Sequence, residues 1–415
     1  MAAPDEPEPV EAIDRLLRGA CDRRPETVGV AVSGGGDSVA LLLAVLDWAR
    51  PLDIVVRAAT VDHGLRPEAA TEAAWVADLC AARGIAHHTL TIDGLTPGPG
   101  VQARAREVRY AALADWAKEQ RLGIVLLGHT GDDVAETLLM RLKRGTGLDG
   151  LARMPVWRRV GHVDFGRPFL EVSRSSLRAG LAQAGVTPLE DPSNTDGRFE
   201  RARLREAMAA LDLDARALAR SAAQLDTARH ALDALTATSL RDLFLRDAGD
   251  LILDLSAARA APREILRRAL LTALGWIAGG AAPRRAEQDH LIATLLGTPQ
   301  PLTLAGCRIA PEGGGARLMR EAARAAPPEA FTPSGTLWDG RWHVTGPAAP
   351  GATVGALGPD VVATDWRATG LPRPSLMASP AIRDAEGALL AAPLADPGAA
   401  GQFTATLRPP HALFD

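Results

Sequence analysis

The chain is nearly without lysine. Of its 46 basic residues in 415, only Lys118 and Lys143 carry an ammonium group; the rest are arginines. A Schiff-base or phosphate-binding lysine therefore has few candidates. Cysteine is also scarce. Cys21, Cys80 and Cys307 are scattered and form neither a C-x-x-C pair nor a zinc spacing. That argues against a disulfide framework and favours buried or incidental thiols in a reducing compartment. No excess of one charge is present, since the formal net charge is −4. A globally basic nucleic-acid binder is excluded, and any RNA contact falls to local basic clusters. Long apolar runs are missing too. The one that follows Ser38 is broken by Asp47, too soon to span a membrane. The opening MAAPDEPEPVEA is acidic and proline-rich, with no positive region and no apolar core, unlike a signal peptide. A cytoplasmic protein with no membrane partner is expected.

Glycine, by contrast, is concentrated where it matters. AVSGGGDSVALLLAVL, residues 31–46, runs from an apolar lead-in through Ser33, Gly34, Gly35, Gly36, Asp37 and Ser38 into a helical stretch. Three adjacent glycines are conformationally expensive and mark a sharp bend or a close approach. A strand, a glycine-rich turn and a helix start together make a phosphate site, because backbone N–H groups and the helix N-terminus attract anions. A plain tight turn with Asp37 or Ser38 as N-cap would need one glycine, not three. The Gly-Lys-Ser/Thr ending of a Walker loop is missing, and so is the dinucleotide G-x-G-x-x-G.

Around that turn strands and helices alternate. Strands are expected at 28–33, 54–62, 86–92 and 123–128, with helices at 37–49, 68–83, 101–120 and 132–144. Strands apolar on both faces mean a doubly wound, mostly parallel α/β sheet. Ligands bind beyond the carboxyl ends of such strands. The glycine turn, Asp62-His63 and His129 all lie there. Length allows two to three domains. Residues 1–215 read as the α/β domain and 216–320 as a small helical domain. Residues 321–415, richer in proline and glycine, read as a small β-containing unit.

Three more segments carry chemistry. Asp62 and His63 can hydrogen-bond a nucleoside, although a turn histidine is the simpler reading of His63 alone. In GVQARAREVRY, residues 100–110, Arg106 and Tyr110 stand at i and i+4 and can share a helix face. In GHTGDDVAETLLMRLKRGTGLDGLARM, residues 128–154, Thr130 to Asp133 fits a capping box. His129, Asp133, Glu136 and Met140 share a face. Glu136 is not needed for capping, so that face presents carboxylates suited to Mg²⁺ beside phosphates or to an ammonium group. Arg144 follows in a basic turn. LEDPSNTDGRFERARLRE, residues 189–206, adds Arg198, Arg201, Arg203 and Arg205, a solvated face in most proteins but here placed just after the α/β domain.

Taken together, SGGGDS, VDHGLRPE, QARAREVRY, GHTGDDVAET, RGTGLDGLARM and EDPSNTD resemble, in order, the motifs of the bacterial tRNA(Ile)-lysidine synthase family. Its Rossmann-like PP-loop domain splits ATP between the α and β phosphates. The likeness spans Val28 to about Arg205. One departure stands out: the family's Arg-Asn-x-Ile-Arg is Arg201-Ala202-Arg203-Leu204-Arg205 here.

The resemblance implies adenylation of the wobble cytidine of the tRNA(Ile) CAU anticodon, followed by ligation of L-lysine. It implies ATP and Mg²⁺, with Ser33 to Ser38, Asp62, His63 and His129 at the nucleotide. Asp37, Asp133 and Glu136 would be the catalytic carboxylates, with Asp37 and Asp133 at the metal. Arg106, Tyr110, Asp133, Glu136, Arg144, Arg201 and Arg205 would meet lysine or tRNA. The oligomeric state stays open, a homodimer being one reading. Rival readings are another PP-loop enzyme, a non-catalytic tRNA-binding protein of the same fold, or a small-molecule adenylating enzyme. A cytidine thiolase would need a cysteine set for an iron–sulfur cluster, and an amidotransferase type would need a glutaminase domain; neither is found.

Overall fold

The computed structural model describes residues 6–20, 24–62, 64, 69–92, 101–190 and 200–408. They divide into two compact units, Met1–Arg229 and His230–Asp415.

The first unit opens with α1 (Pro9–Ala20) and then alternates as the sequence pattern requires. β1 (Thr27–Ala31) leads to α2 (Gly36–Ala49), β2 (Val55–Asp62) to α3 (Ala69–Ala81), β3 (Ala86–Thr91) to α4 (Val101–Glu119), and β4 (Ile124–Leu127) to α5 (Gly131–Lys143). A single turn of helix, α6 (Leu148–Leu151), precedes the hairpin β5 (Trp157–Val160) and β6 (Val163–Gly166). Then come α7 (Arg174–Gln183), α8 (Glu200–Ala210) and α9 (Ala215–Leu243), which runs on into the second unit.

The six strands stand in the order β3-β2-β1-β4-β6-β5. All neighbours are parallel except β5 and β6. Alternate residues of one strand serve opposite faces. Ile124 and Leu126 pack with α2, α3 and α7, while Val125 and Leu127 pack with Tyr110, Leu113 and Trp116 of α4. Burial on both faces is what makes these strands continuous apolar runs. The chain leaves β1 toward β2 on one side and meets β4 on the other. The crevice beyond the carboxyl ends of β1 and β4 is thus the topological switch point, where ligands of open α/β sheets sit.

The second unit carries the expected helices. α11 (Arg263–Ala278) ends at Gly279, whose φ of 64° closes it, and α12 (Arg285–Leu296) follows. A short α10 (Leu255–Ala260) precedes them. The sequence reading contained no strands here. The structure has β7 (Phe244–Asp247), β8 (Asp250–Asp254), β9 (Leu302–Leu304), β10 (Cys307–Glu312) and β11 (Gly315–Arg320) in one sheet, order β7-β8-β11-β10-β9. Two more sheets, of four and three strands, fill residues 329–407, which is the expected β-rich end. Among the described residues no helix is long and apolar enough to cross a membrane.

Candidate active site

The glycine loop joins β1 to α2. Gly35 is the N-cap of α2, and no side chain caps that helix, so its first turn keeps N–H groups for a ligand. Gly34 has φ of +87°, and a Cβ there would stand 2.8 Å from Leu189 Cδ1. Only glycine meets both demands. Leu189 holds the loop from outside, its N–H donating to Gly34 O at 3.0 Å. Ser38 holds it from inside: its Oγ accepts from Ser33 N at 3.0 Å, lies 3.2 Å from Ser33 Oγ, and donates to Gly35 O at 2.9 Å. At the end of β4, a Cβ on Gly128 would meet Asp37 O and Ser38 Cα at 3.0 Å. Glycine there lets the loop and the start of α5 adjoin.

The α5 N-terminus is the capping box read from sequence. Thr130 Oγ1 accepts from Asp133 N at 3.4 Å, and Asp133 Oδ2 accepts from Thr130 N at 2.9 Å and from Thr130 Oγ1 at 3.1 Å. Capping consumes Oδ2 of Asp133 and leaves Oδ1 for something else. That something is Arg174, which sequence reasoning did not single out. Its Nε donates to Asp37 Oδ2 at 3.0 Å, its Nη1 to Glu136 Oε1 at 3.3 Å and its Nη2 to Asp133 Oδ1 at 3.3 Å. The loop, α5 and α7 thus meet on one guanidinium.

The backbone of Arg174 is fixed. Its N–H donates to Asp132 Oδ2 at 2.8 Å, and Ser173, the N-cap of α7, donates from N and Oγ to Glu6 Oε1 at 2.6 and 2.9 Å. From α8, Arg205 Nε reaches Glu136 Oε1 at 2.6 Å and Arg201 Nε lies 3.7 Å from Oε2. Ala202, at the position of the family's asparagine, is buried.

Burial pushes Asp37 above the usual carboxylate range despite Arg174, and the nearby Asp133 and Asp132 add to the push. Burial also pushes Asp133 up, but there the Arg174 guanidinium and the Thr130 N–H win and hold it below that range. Arg174 itself is held protonated: burial works against it, and Asp37, Asp133 and Glu136 outweigh burial. His129, half-buried after β4, is pushed down to about 3 by burial, with Arg167, Arg109 and Arg106 adding to the effect, so it is neutral at pH 7. Its Nδ1 is buried without a partner.

Tyr110 is a core residue, packed edge-to-face on Phe165 with ring centroids 5.0 Å apart. Cations ring it. Arg167 Nη2 donates to its hydroxyl at 2.8 Å, and the guanidinium carbons of Arg158, Arg106 and Arg109 lie 4.1, 5.5 and 6.0 Å from its ring centre. Arg106, itself exposed, therefore does meet the Tyr110 ring. Arg144 is exposed and pairs with Glu200 at 3.0 Å. Asp62 closes the turn after β2 by accepting from Gly64 N at 2.8 Å. His63 and Arg198 lie outside the described residues.

A glycine cradle at the switch point of a parallel sheet, with buried carboxylates facing it, defines a PP-loop ATP-using protein. The family model described as the PP-loop domain matches residues 9–211. The tRNA(Ile)-lysidine synthase of Ruegeria pomeroyi is 43% identical over 388 residues, 92% of this chain and 91% of that one. That of Novosphingobium aromaticivorans is 44% identical over 272 residues, 65% of this chain and 81% of the other. This chain belongs to the tRNA(Ile)-lysidine synthase family. Among solved structures, the U34-tRNA thiolase NcsA from Methanococcus maripaludis, determined with its [4Fe-4S] cluster, aligns over 52% of this chain and 76% of that one. The TM-score is 0.44 and the identity 16%.

Proposed function

We propose that this enzyme joins L-lysine to the wobble cytidine of tRNA(Ile) through the site just described, in two steps. The cytidine O2 attacks the α-phosphate of ATP and pyrophosphate leaves. The ε-amine of lysine then attacks C2, AMP leaves, and the amine gives up a proton. The observation that carries this reading is the meeting of Asp37, Asp133 and Glu136 on one cation beside the glycine loop. A substrate ammonium needs buried negative charge, and a departing phosphate needs backbone donors within reach.

Each residue has a task. Ser33 to Ser38 cradle the phosphates. Asp133 and Glu136 hold the lysine ammonium, and one of them takes its proton as it attacks. Arg201 and Arg205, already paired with Glu136, face incoming phosphate. Arg106 and Arg144, both exposed, meet the RNA backbone. Neutral His129 donates or accepts at the nucleotide. Mg²⁺ fits the donor set, because the ion rests on one or two carboxylates plus phosphate oxygens. Asp37 and Asp133 supply those carboxylates. Among the described residues no group of three such ligands is preassembled, so the remaining oxygens would come from the nucleotide. The ion would offset phosphate charge.

The test is a reaction of the purified protein with ATP, Mg²⁺, radiolabelled lysine and unmodified tRNA(Ile) transcript. Label is expected in the cytosine-bearing transcript and not in one with uracil at the wobble position. Pyrophosphate release with no label in either transcript would discard lysine as the substrate.

A further inference from the structure

Arg174 solves an electrostatic problem that the ligand must also solve. Asp37 leans on it through its Nε, and Asp133, with one oxygen spent on the cap, offers the other to its Nη2. Glu136 is 1% exposed and still has Oε2 buried with no hydrogen-bond partner. Three carboxylates face three arginines: Arg174, Arg201 and Arg205. A planar guanidinium leaves one carboxylate oxygen without a hydrogen bond in this setting, with only Arg201 Nε at 3.7 Å. A compact ammonium, with three donors that rotate freely, suits Asp133 and Glu136 together and can donate to that oxygen as well.

We propose that Arg174 holds the seat of the substrate lysine's ε-ammonium and vacates it when nucleotide phosphates enter the glycine loop. The inference rests on the lysine reading above and adds regulation to it. Charge explains the exchange. Lysine entering beside Arg174 would bury a surplus positive charge. Phosphate entering without Arg174 would face the Asp37 carboxylate, a like-charge contact that the divalent ion named above would have to offset alone. Moving one guanidinium from the carboxylates to the phosphates removes both penalties. The two seats adjoin, since Asp37, the partner of Nε, is itself in the first turn of α2 at the phosphate cradle. The backbone of Arg174 stays pinned by Asp132, and Ser173 beside it by Glu6, so only the side chain swings between rotamers. Lysine capture thereby follows nucleotide capture.

Calorimetric titration of L-lysine into the full-length protein, with and without α,β-methylene ATP, tests this. The parent is expected to bind lysine roughly tenfold or more tighter with the analogue, within the usual range of coupling between sites. By linkage, lysine should tighten the analogue by the same factor. Arg174→Met keeps the apolar stem and loses the charge. It should bind lysine tighter than the parent when no analogue is present, with a ratio near one. Arg174→Lys, which restores a tethered cation, should restore the nucleotide dependence. Equal lysine affinity in both states of the parent overturns the exchange. So does loss of lysine binding by a folded Arg174→Met in both states. Should that variant fail to fold, the Arg174→Lys ratio and the reciprocal titration in the parent decide. No lysine uptake in either state, alongside normal incorporation into tRNA, overturns the exchange and leaves the ligase reading standing. Absence of incorporation removes the reading itself.

Discussion

Among the described residues two hubs join one arginine to three carboxylates, and they differ in which groups water reaches. In the second unit Arg317 on β11 pairs with Asp247 at 2.7 Å, with Asp250 at 3.1 Å and with Glu312. There the cation and Asp250 are both deep, each side chain 5% exposed, while Asp247 and Glu312 are 37% and 39% exposed. In the first unit Glu136 is 1% and Asp133 11% exposed, against 18% for Arg174 and 24% for Asp37. Arg317's partners lie on β7, β8 and β10, strands of the same hydrogen-bonded sheet. Arg174's partners come from two separate helices, Asp37 in the first turn of α2 and Asp133 and Glu136 on α5. A cation as deep as its deepest carboxylate, with its other two partners at the surface, is a strut. Two carboxylates buried more deeply than the cation they hold are a charge that another cation can take over.

The largest expected effect separates the two hubs by chemistry. Glu136→Gln should lower lysine incorporation by about 10²-fold or more, the usual scale of a lost acid–base group. Unchanged rates of adenylation and lysine transfer would remove Glu136 from the scheme. Arg317→Met breaks the other hub. Leaving Asp250 buried without its partner should cost about 3–5 kcal/mol in denaturant unfolding of the second unit, with incorporation per folded molecule unchanged. A fall in that specific activity would mean the hub is more than a strut.

Smaller effects sharpen the picture. Gly34→Ala forces a left-handed backbone onto a residue with a Cβ, costing about 1–2 kcal/mol in the melting of the first unit and weakening ATP binding. The smallest effect is a slope with pH. His129 is held at about 3 in the folded chain, against about 6.5 unfolded, so the unfolded state binds more protons between those values. Its contribution is complete above pH 6.5 and is lost as pH falls toward 3. Asp133, whose folded value is depressed, adds to the loss only below its ordinary range. Between pH 7 and 5, His129→Asn should therefore lose less melting temperature than the parent; an identical slope would place the titration elsewhere.

Much of the first unit was legible because glycine and apolar runs mark a parallel sheet without ambiguity. β1 to α5 fall within a few residues of expectation. α1 was hidden by its acidic, proline-rich approach, although Ile13 and Leu17 on one face bury against the sheet's helices. β7 and β8 lie within residues 216–320, read as a helical domain. The signal was the turn at Ala248 and Gly249, both with positive φ. Asp133 and Glu136 were readable from helix spacing, and the capping share of Asp133 was readable too. Arg174 was not. In an arginine-rich chain a single arginine carries no contrast, and its partners are 137, 41 and 38 residues away. Only the Ser173 N-cap beside it marked the helix start that aims it.

The most direct measurement is mass spectrometry of nucleosides from tRNA(Ile) transcript incubated with the protein, ATP and isotope-labelled lysine. The expected product is a cytidine at the wobble position heavier by one lysine less one water, carrying the isotope. An unmodified wobble cytidine, with ATP consumed, would contradict the assignment.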